Sequence, residues 1–237
     1  MRLDEVRGFV FDVDGTLVRR FPDGVHPMPG AVEVLDAIRA SGRPVAIFSN
    51  GSHLPPAEFA RRLRADGLPV ADEEMVSPVS SALSYLRRRH EGRPVLLFAQ
   101  DRVRELMVEA GVQVVDGGKL LTANYLPAYA GANGPIFSRG AMLTAAIAKA
   151  ASVRPIVVGK PSRAAVQELR DHLGVPSERL LVTGDDVRMD IGLGRQGGSL
   201  TVLVRTGITG GTDLSRLPEH RRPHAVVDEV GELLRWL

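Results

Sequence analysis

The stretch Phe9-Val10-Phe11-Asp12-Val13-Asp14-Gly15-Thr16-Leu17-Val18 constrains this chain more than any other. It starts as an apolar run from Val6 to Phe11, interrupted only by Arg7 and Gly8. That is the pattern of a strand buried on both faces inside a parallel sheet. The run stops at two aspartates one residue apart, followed by Gly-Thr. Two carboxylates at the end of a buried strand repel each other and resist desolvation unless a cation compensates them. A hard divalent ion such as Mg2+ does so through oxygen ligands. Open α/β sheets bind ligands outside the carboxyl ends of their strands, where Asp12 and Asp14 would stand. A strand running into a plain Asp-Gly turn would give a similar sequence, so the rest of the chain must discriminate.

Downstream, strands and helices alternate, as in a parallel sheet with crossover helices. A linker rich in turn formers, Phe21-Pro22-Asp23-Gly24, leads to a helix on which Ala31, Val34, Leu35 and Ile38 recur at helical spacing. Pro44 to Phe48 reads as a second buried strand ending in Ser49-Asn50-Gly51-Ser52, and residues 56–66 as a second helix. From about 67 to 152 the pattern is that of a smaller separate αβαβ unit: a helix over 80–90, a strand over 94–99, a helix ending at Gly111 and a strand over 112–115. Residues 117–140, rich in Gly, Pro, Asn and Tyr, read as a long irregular loop, functional or mobile. A helix over 139–151 returns the chain to the core, where a strand over 155–158 is expected to end in Gly159-Lys160-Pro161-Ser162.

The chain holds only three lysines, Lys119, Lys149 and Lys160. One of them, Lys160, is expected at a strand end, where it would supply a compact point charge. Leu180 to Thr183 forms the next expected strand, ending in Gly184-Asp185-Asp186-Val187-Arg188-Met189-Asp190. Helix N-capping accounts for one of these three acids but hardly for all of them, so a cation is again implied. Strands over 200–204 and 225–227, joined through Thr206-Gly207-Ile208-Thr209, close the sheet. A last helix carries Leu233, Leu234 and Trp236 against one of its faces.

Paired Asp, then Ser, then Lys, then an acidic cluster, each after its own strand, is similar to the four ordered motifs of the haloacid dehalogenase-like (HAD) phosphohydrolases. The resemblance spans nearly the whole chain and looks closest to the branch of NagD-like and p-nitrophenylphosphatase-like enzymes. It implies an α/β fold, a HAD-like Rossmannoid core with a central parallel sheet, formed by residues 1–66 and 153–237. It also implies a smaller inserted α/β cap domain over residues 67–152, shorter than is usual for the branch.

In the chemistry so implied, Asp12 is the nucleophile and becomes an aspartyl-phosphate. Asp14 serves as general acid and then as general base. Ser49, with Asn50 and Gly51 in its loop, and Lys160 hold the phosphoryl oxygens. Mg2+ is held by Asp12, the backbone carbonyl of Asp14 and Asp185, supported by Asp190 or Asp186. Ser49-Asn50-Gly51-Ser52 departs from the Thr-Asn-Asn-Ser usual in the branch, which keeps the hydroxyl and loses the third side chain. The segment 117–140, with Asn124, Tyr125 and Tyr129, is the candidate substrate-facing part of the cap. The expected reaction is Mg2+-dependent hydrolysis of a small phosphorylated metabolite. Phosphoryl transfer on the same core and non-hydrolytic binding of a phospho-ligand remain alternatives, as does a receiver-type phosphorylation switch, which the length and the cap disfavour.

Composition narrows the classes further. No apolar run reaches the length of a membrane span, no signal-peptide core follows Met1, and the absence of cysteine excludes disulfide and thiolate chemistry. A cytoplasmic setting without membrane partners is therefore expected. The net charge is +2, so the basic pI of about 9.3 reflects arginine content rather than a basic face. The runs Arg61-Arg62-Leu63-Arg64 and Arg87-Arg88-Arg89 fall late in amphipathic helices without interleaved aromatics, and no nucleic-acid partner is expected. A homodimer is left open.

Overall fold

The computed structural model describes residues 3–21, 24–95, 97, 99–114, 121–123, 128–131, 134–150 and 152–237, with the backbone alone described at 121, 128–131 and 134–137. Asn124 and Tyr125 lie outside the described residues.

In chain order the elements begin with β1 (Gly8–Phe11), the hairpin β2 (Val18–Phe21) and β3 (Gly24–Pro27), α1 (Ala31–Ala40), β4 (Val45–Phe48), α2 (Pro56–Ala65) and β5 (Met75–Val76). Next come α3 (Pro78–Arg89), α4 (Asp101–Glu109), β6 (Leu121–Thr122), β7 (Ala128–Gly131), β8 (Gly134–Phe137) and α5 (Arg139–Ala150). The chain closes with β9 (Ile156–Val157), α6 (Arg163–Leu173), β10 (Leu180–Gly184), α7 (Gly192–Gly197), β11 (Leu200–Val204) and β12 (Ala225–Val227).

Six strands form one parallel sheet in the order β12-β11-β10-β1-β4-β5. β1 lies inside it, with Phe9 opposite both Leu181 and Val45, and all four of its residues are buried. That is why its sequence is continuously apolar rather than alternating. The pleat sorts side chains between two layers. Phe9, Phe11, Ile47, Leu181 and Val202 face a core built with α1, α2, Val230 and Leu233. Val10, Ala46, Phe48, Leu180 and Val182 face a second core with Ala165 and Leu169 of α6 and Leu193 of α7. The chain leaves β1 toward β4 and β5 on one side and later adds β10, β11 and β12 on the other. The strand order therefore reverses at β1, which opens a crevice beside its carboxyl end.

A further cluster, Val79, Leu86, Val95, Val103 and Met107, joins α3 to α4 as a core of its own. Arg88 of α3 pairs with Asp171 of α6, Arg64 with Asp72, and Arg39 with Glu74 at 2.7 Å. Arginines of both runs are thus engaged within the fold. No helix among the described residues is long and apolar enough to cross a membrane.

The central sheet and its helices match the α/β reading, and Ala31, Val34, Leu35 and Ile38 are all buried as their spacing predicts. Several local expectations need correction. The strand expected over 155–158 is only β9, half-buried and paired with β6, outside the six-stranded sheet. A run of four apolar residues cannot by itself distinguish a core strand from a satellite. Part of the irregular segment is ordered as an antiparallel hairpin, with Ala128 opposite Phe137, hidden by weak strand formers such as Ala, Gly and Pro. The linker after β1 likewise contains the β2–β3 hairpin. β5, within the span expected as the cap, pairs with β4 of the main sheet. The last helix is a 3-10 helix, Val230–Arg235, that buries Leu233 and leaves Leu234 44% exposed.

Ile38 is fully buried between α1 and the sheet. Ile38→Ala is expected to lower the unfolding free energy by about 2–5 kcal/mol, the range for truncating a packed aliphatic side chain. Urea denaturation followed by circular dichroism measures this, and a loss below about 1 kcal/mol would place Ile38 outside the essential core.

Candidate active site

Three neighbouring strands of one parallel sheet end on the same edge, so residues far apart in sequence meet there. Asp12 follows β1 and is tied to β10 by its own N–H, which donates to Thr183 O at 2.9 Å. Ser49 follows β4 and is buried, its hydroxyl accepting from Gly51 N at 3.0 Å. Asp185 follows β10 and is also buried. Lys160 arrives from the loop after β9 and is only 3% exposed.

The Lys160 ammonium sits between two carboxylates, donating to Asp12 Oδ1 at 2.5 Å and to Asp190 Oδ1 at 2.7 Å. Asp12, Asp185 and Asp190 each offer a carboxylate oxygen within 4.8 Å of the others. Asp190 belongs to a single π turn, Val187–Ile191, and its other oxygen accepts from Asp186 N at 3.0 Å. Asp186 caps that turn, accepting from Arg188 N at 2.6 Å and Met189 N at 3.2 Å. Of the two acids the sequence leaves as alternatives, Asp190 joins the cluster and Asp186 does the capping.

Electrostatics follow from this crowding. Burial, then the charge of Asp190, hold the Asp12 carboxyl well above its usual range. Burial also raises Asp190, against the pull of Lys160. Asp185 is pushed up to about 7, by burial first and by Asp190 second, despite the hydrogen bond it accepts from Ile208. Burial pulls the Lys160 ammonium down, and Asp12 and Asp190 more than reverse this, so it stays charged. One ammonium among three carboxylates leaves net negative charge in a desolvated place. The cluster of hard oxygen donors fits a hard divalent cation such as Mg2+. Among the described residues no histidine or cysteine contributes, which disfavours the nitrogen and sulfur chemistry of zinc.

Two expected site residues sit differently from the sequence picture. The Asp14 carboxylate stands outside the cluster, half-exposed, and is gripped by Arg20 of β2 through Nε at 2.7 Å and Nη2 at 3.4 Å. Val13 is fully buried between the two aspartates, and Gly15 follows with φ +85°. The Asn50 carboxamide is turned onto the backbone of Lys160, its oxygen accepting from Lys160 N at 2.9 Å and its nitrogen donating to Lys160 O at 3.4 Å. Sequence reasoning missed Arg20, which carries no motif of its own, and Ile208, whose N–H donates to Asp185 Oδ2 at 2.7 Å. A backbone donor is invisible in residue types, although the glycine-rich loop around it is not.

Since the carboxyl of Asp185 is raised in the folded protein, the native state binds a proton there that the unfolded chain releases between about pH 4 and pH 7. Stability of the metal-free protein contributed by this group is therefore greatest below pH 4 and falls as pH rises toward 7. Thermal melts of wild type and Asp185→Asn in EDTA are expected to show the wild type losing ground to the variant across that window. A pH-independent gap between them would contradict the assignment. Added Mg2+ is expected to stabilise the wild type more at pH 8 than at pH 5, because it competes with the protons.

Comparison with known proteins agrees with this geometry. A profile described as haloacid dehalogenase-like hydrolase matches residues 9–113, and a second, HAD-hydrolase-like, matches residues 157–233. The chain is similar to the ribonucleotide monophosphatase NagD of Escherichia coli, 28% identical over 256 residues, which cover 96% of this chain and 98% of that protein. It is likewise similar to chronophin of Rattus norvegicus, 28% identical over 282 residues, covering 99% of this chain and 89% of the relative. In fold it resembles the crystal structure of 4-nitrophenylphosphatase from Thermotoga maritima, with a TM-score of 0.86, 24% identity and 98% of each chain covered. The ordered motifs, the sheet that gathers them and the two matching profiles together place the chain in the haloacid dehalogenase-like hydrolases.

Proposed function

We propose that this chain is an Mg2+-dependent phosphatase that hydrolyses small phosphorylated metabolites through an aspartyl-phosphate on Asp12, in a cytoplasmic setting. The observation that carries this reading is the Lys160 ammonium held between Asp12 and Asp190, with an Asp185 carboxylate oxygen within 4.8 Å of theirs. The phosphatases and the nucleotidase among the relatives support the same reaction class.

A phosphate monoester dianion repels a carboxylate, so attack by Asp12 needs concentrated positive charge. Asp12, Asp185 and Asp190, with the backbone carbonyl of Asp14, would hold Mg2+, which supplies charge neutralisation and keeps these carboxylates ionised at neutral pH. Asp12 attacks phosphorus as the ester oxygen leaves, and Asp14 gives that oxygen a proton. Asp14 then takes a proton from water as the water oxygen attacks the same phosphorus. Inorganic phosphate departs and the Asp12 carboxylate is restored. Asp14 is suited to meeting a leaving group, since its carboxylate is exposed at the mouth rather than locked in the cluster. Ser49 and Lys160 hold the phosphoryl oxygens. Asn50 contributes by fixing the Lys160 backbone, and its loop keeps Gly51 close to Ser49.

The segment nominally over 67–152 serves as the cap, with its outgoing crossing placed at Ser77–Pro78, since β5 belongs to the main sheet. Its separate apolar core supports this division. Gly159, past the return crossing, lies beside the outgoing one at Pro78, and its N–H donates to Ala123 O at 2.9 Å. A Cβ there would strike Ala123 O and come within 2.7 Å of Asn50 Oδ1 and 3.0 Å of Pro78 Cγ. The cap is thereby hinged beside Lys160 and is in a position to select the substrate, with Asn124 and Tyr125 as the proposed contacts.

Purified protein with Mg2+ is expected to release inorganic phosphate from p-nitrophenyl phosphate and from members of a phosphorylated-metabolite panel, and to stop on addition of EDTA. Asp12→Asn is expected to be folded and inactive. Asp14→Asn is expected to slow phosphoenzyme formation far more from alkyl phosphates than from the nitrophenyl ester, whose leaving group needs little protonation, and to slow phosphoenzyme hydrolysis for both. Full turnover in EDTA, or phosphoenzyme formed by Asp12→Asn, would refute the mechanism.

A further inference from the structure

Asp185 is held by a loop that contributes no acid, base or cation to the site. The loop runs from Thr206 to Thr209, just past β11, and three of its residues contact Asp185. Ile208 N donates to Asp185 Oδ2 at 2.7 Å, so one oxygen of the buried carboxylate is fixed by backbone. The Thr209 hydroxyl donates to Asp185 O, and Thr209 N reaches the same carbonyl at 3.3 Å. Gly207 lies flat against the carboxylate, where a Cβ would overlap the Asp185 side chain itself. Its φ is not in the left-handed region, so the need for glycine here is close approach rather than backbone conformation.

The same loop grips the turn that follows Asp12. The Thr206 hydroxyl donates to Gly15 O, and Arg19 Nη2 donates to Thr206 O at 3.0 Å. A Cβ on Gly15 would stand 2.7 Å from Asp185 Oδ2 and 3.1 Å from the Gly207 Cα. The carboxylate of Asp185 is therefore sandwiched between two glycine backbones, one following each of the two strands that flank β10.

We propose that Thr206-Gly207-Ile208-Thr209 is a positioning clamp that sets the metal affinity of the site by presenting Asp185 in one rotamer, with one oxygen bound by Ile208 and the other left to the cation. This rests on the reading of Asp12, Asp185 and Asp190 as an Mg2+ site. The physical reason is that the cation must overcome carboxylate repulsion and desolvation, and a carboxylate already held in place loses less freedom on binding it. Groups behind metal ligands have this effect generally, and their removal costs about 10–100-fold in metal affinity. Gly207 and Thr209 are positioning residues and touch no substrate in this assignment.

The test is Mg2+ binding to EDTA-stripped, dialysed full-length protein by titration calorimetry, alongside the MgCl2 dependence of p-nitrophenyl phosphate turnover. Gly207→Ala is expected to weaken Mg2+ binding by at least about tenfold. The MgCl2 concentration for half-maximal turnover is expected to rise in parallel, while the KM for the ester at saturating Mg2+ changes little. Thr209→Val, which loses one neutral hydrogen bond, is expected to weaken Mg2+ binding about threefold to tenfold, and Thr209→Ser to restore it. Circular dichroism and melting temperature show whether each variant folds. If Gly207→Ala does not fold, the Thr209 pair decides. A folded Gly207→Ala with wild-type Mg2+ affinity, or Thr209→Val and Thr209→Ser alike in affinity, overturns the clamp and leaves the phosphatase reading standing. Wild-type protein that binds no Mg2+ overturns the metal site and the clamp with it.

Discussion

One ammonium shared by a buried carboxylate, Asp190, and a partly buried one, Asp12, organises this molecule. Lys160 reaches Asp12 at 2.5 Å and Asp190 at 2.7 Å while almost wholly removed from water. Separating such charges would leave each of them desolvated and unpaired, a far larger cost than that of an exposed ion pair. The arrangement nevertheless remains incomplete, because Asp185 belongs to the same cluster and brings a third negative charge. The raised carboxyl groups of Asp12, Asp185 and Asp190 express that excess. A cation would offset this imbalance, as the proposed Mg2+ site requires.

The sheet makes the cluster affordable in geometry. β10, β1 and β4 are neighbouring parallel strands, so the residues after them emerge on one edge. Their loops then approach more closely than side chains would permit. Gly184 lies against Asp190, and Gly15 and Gly207 lie against Asp185, each at a place where a Cβ would collide with a carboxylate. Glycine is used here as absent volume, which allows backbone to serve as the wall of the site. The Ile208 N–H turns that wall into a hydrogen-bond donor.

Asn50 shows how the second motif serves the third. Its position after Ser49 invites a role in direct phosphate contact, yet its carboxamide engages both the N–H and the carbonyl of Lys160. The lysine is thus anchored at its backbone by Asn50 and at its tip by two aspartates. Gly159, immediately before it, is packed against Ala123 O, Asn50 and Pro78, which belong to three different stretches of chain.

Sequence alone determined the parts of this protein that depend on residue type and local order. The buried strand Phe9–Phe11 and the helical spacing of Ala31, Val34, Leu35 and Ile38 read directly, because burial limits which residues can stand there. Short or weakly patterned elements did not read. β9 looked like a core strand because four apolar residues carry no information about which neighbour they pair with. The β7–β8 hairpin hid behind Gly, Pro and Ala, and β5 is only two residues long. The choice between Asp186 and Asp190 belonged to tertiary structure as well, since two acids four residues apart differ only in which way a turn points them. Arg20 on Asp14, Asn50 on Lys160 and Ile208 on Asp185 are decided in the same way. Each is a contact made by folding distant or backbone groups together, and neither backbone N–H groups nor the direction of a side chain is written in the identity of the residue.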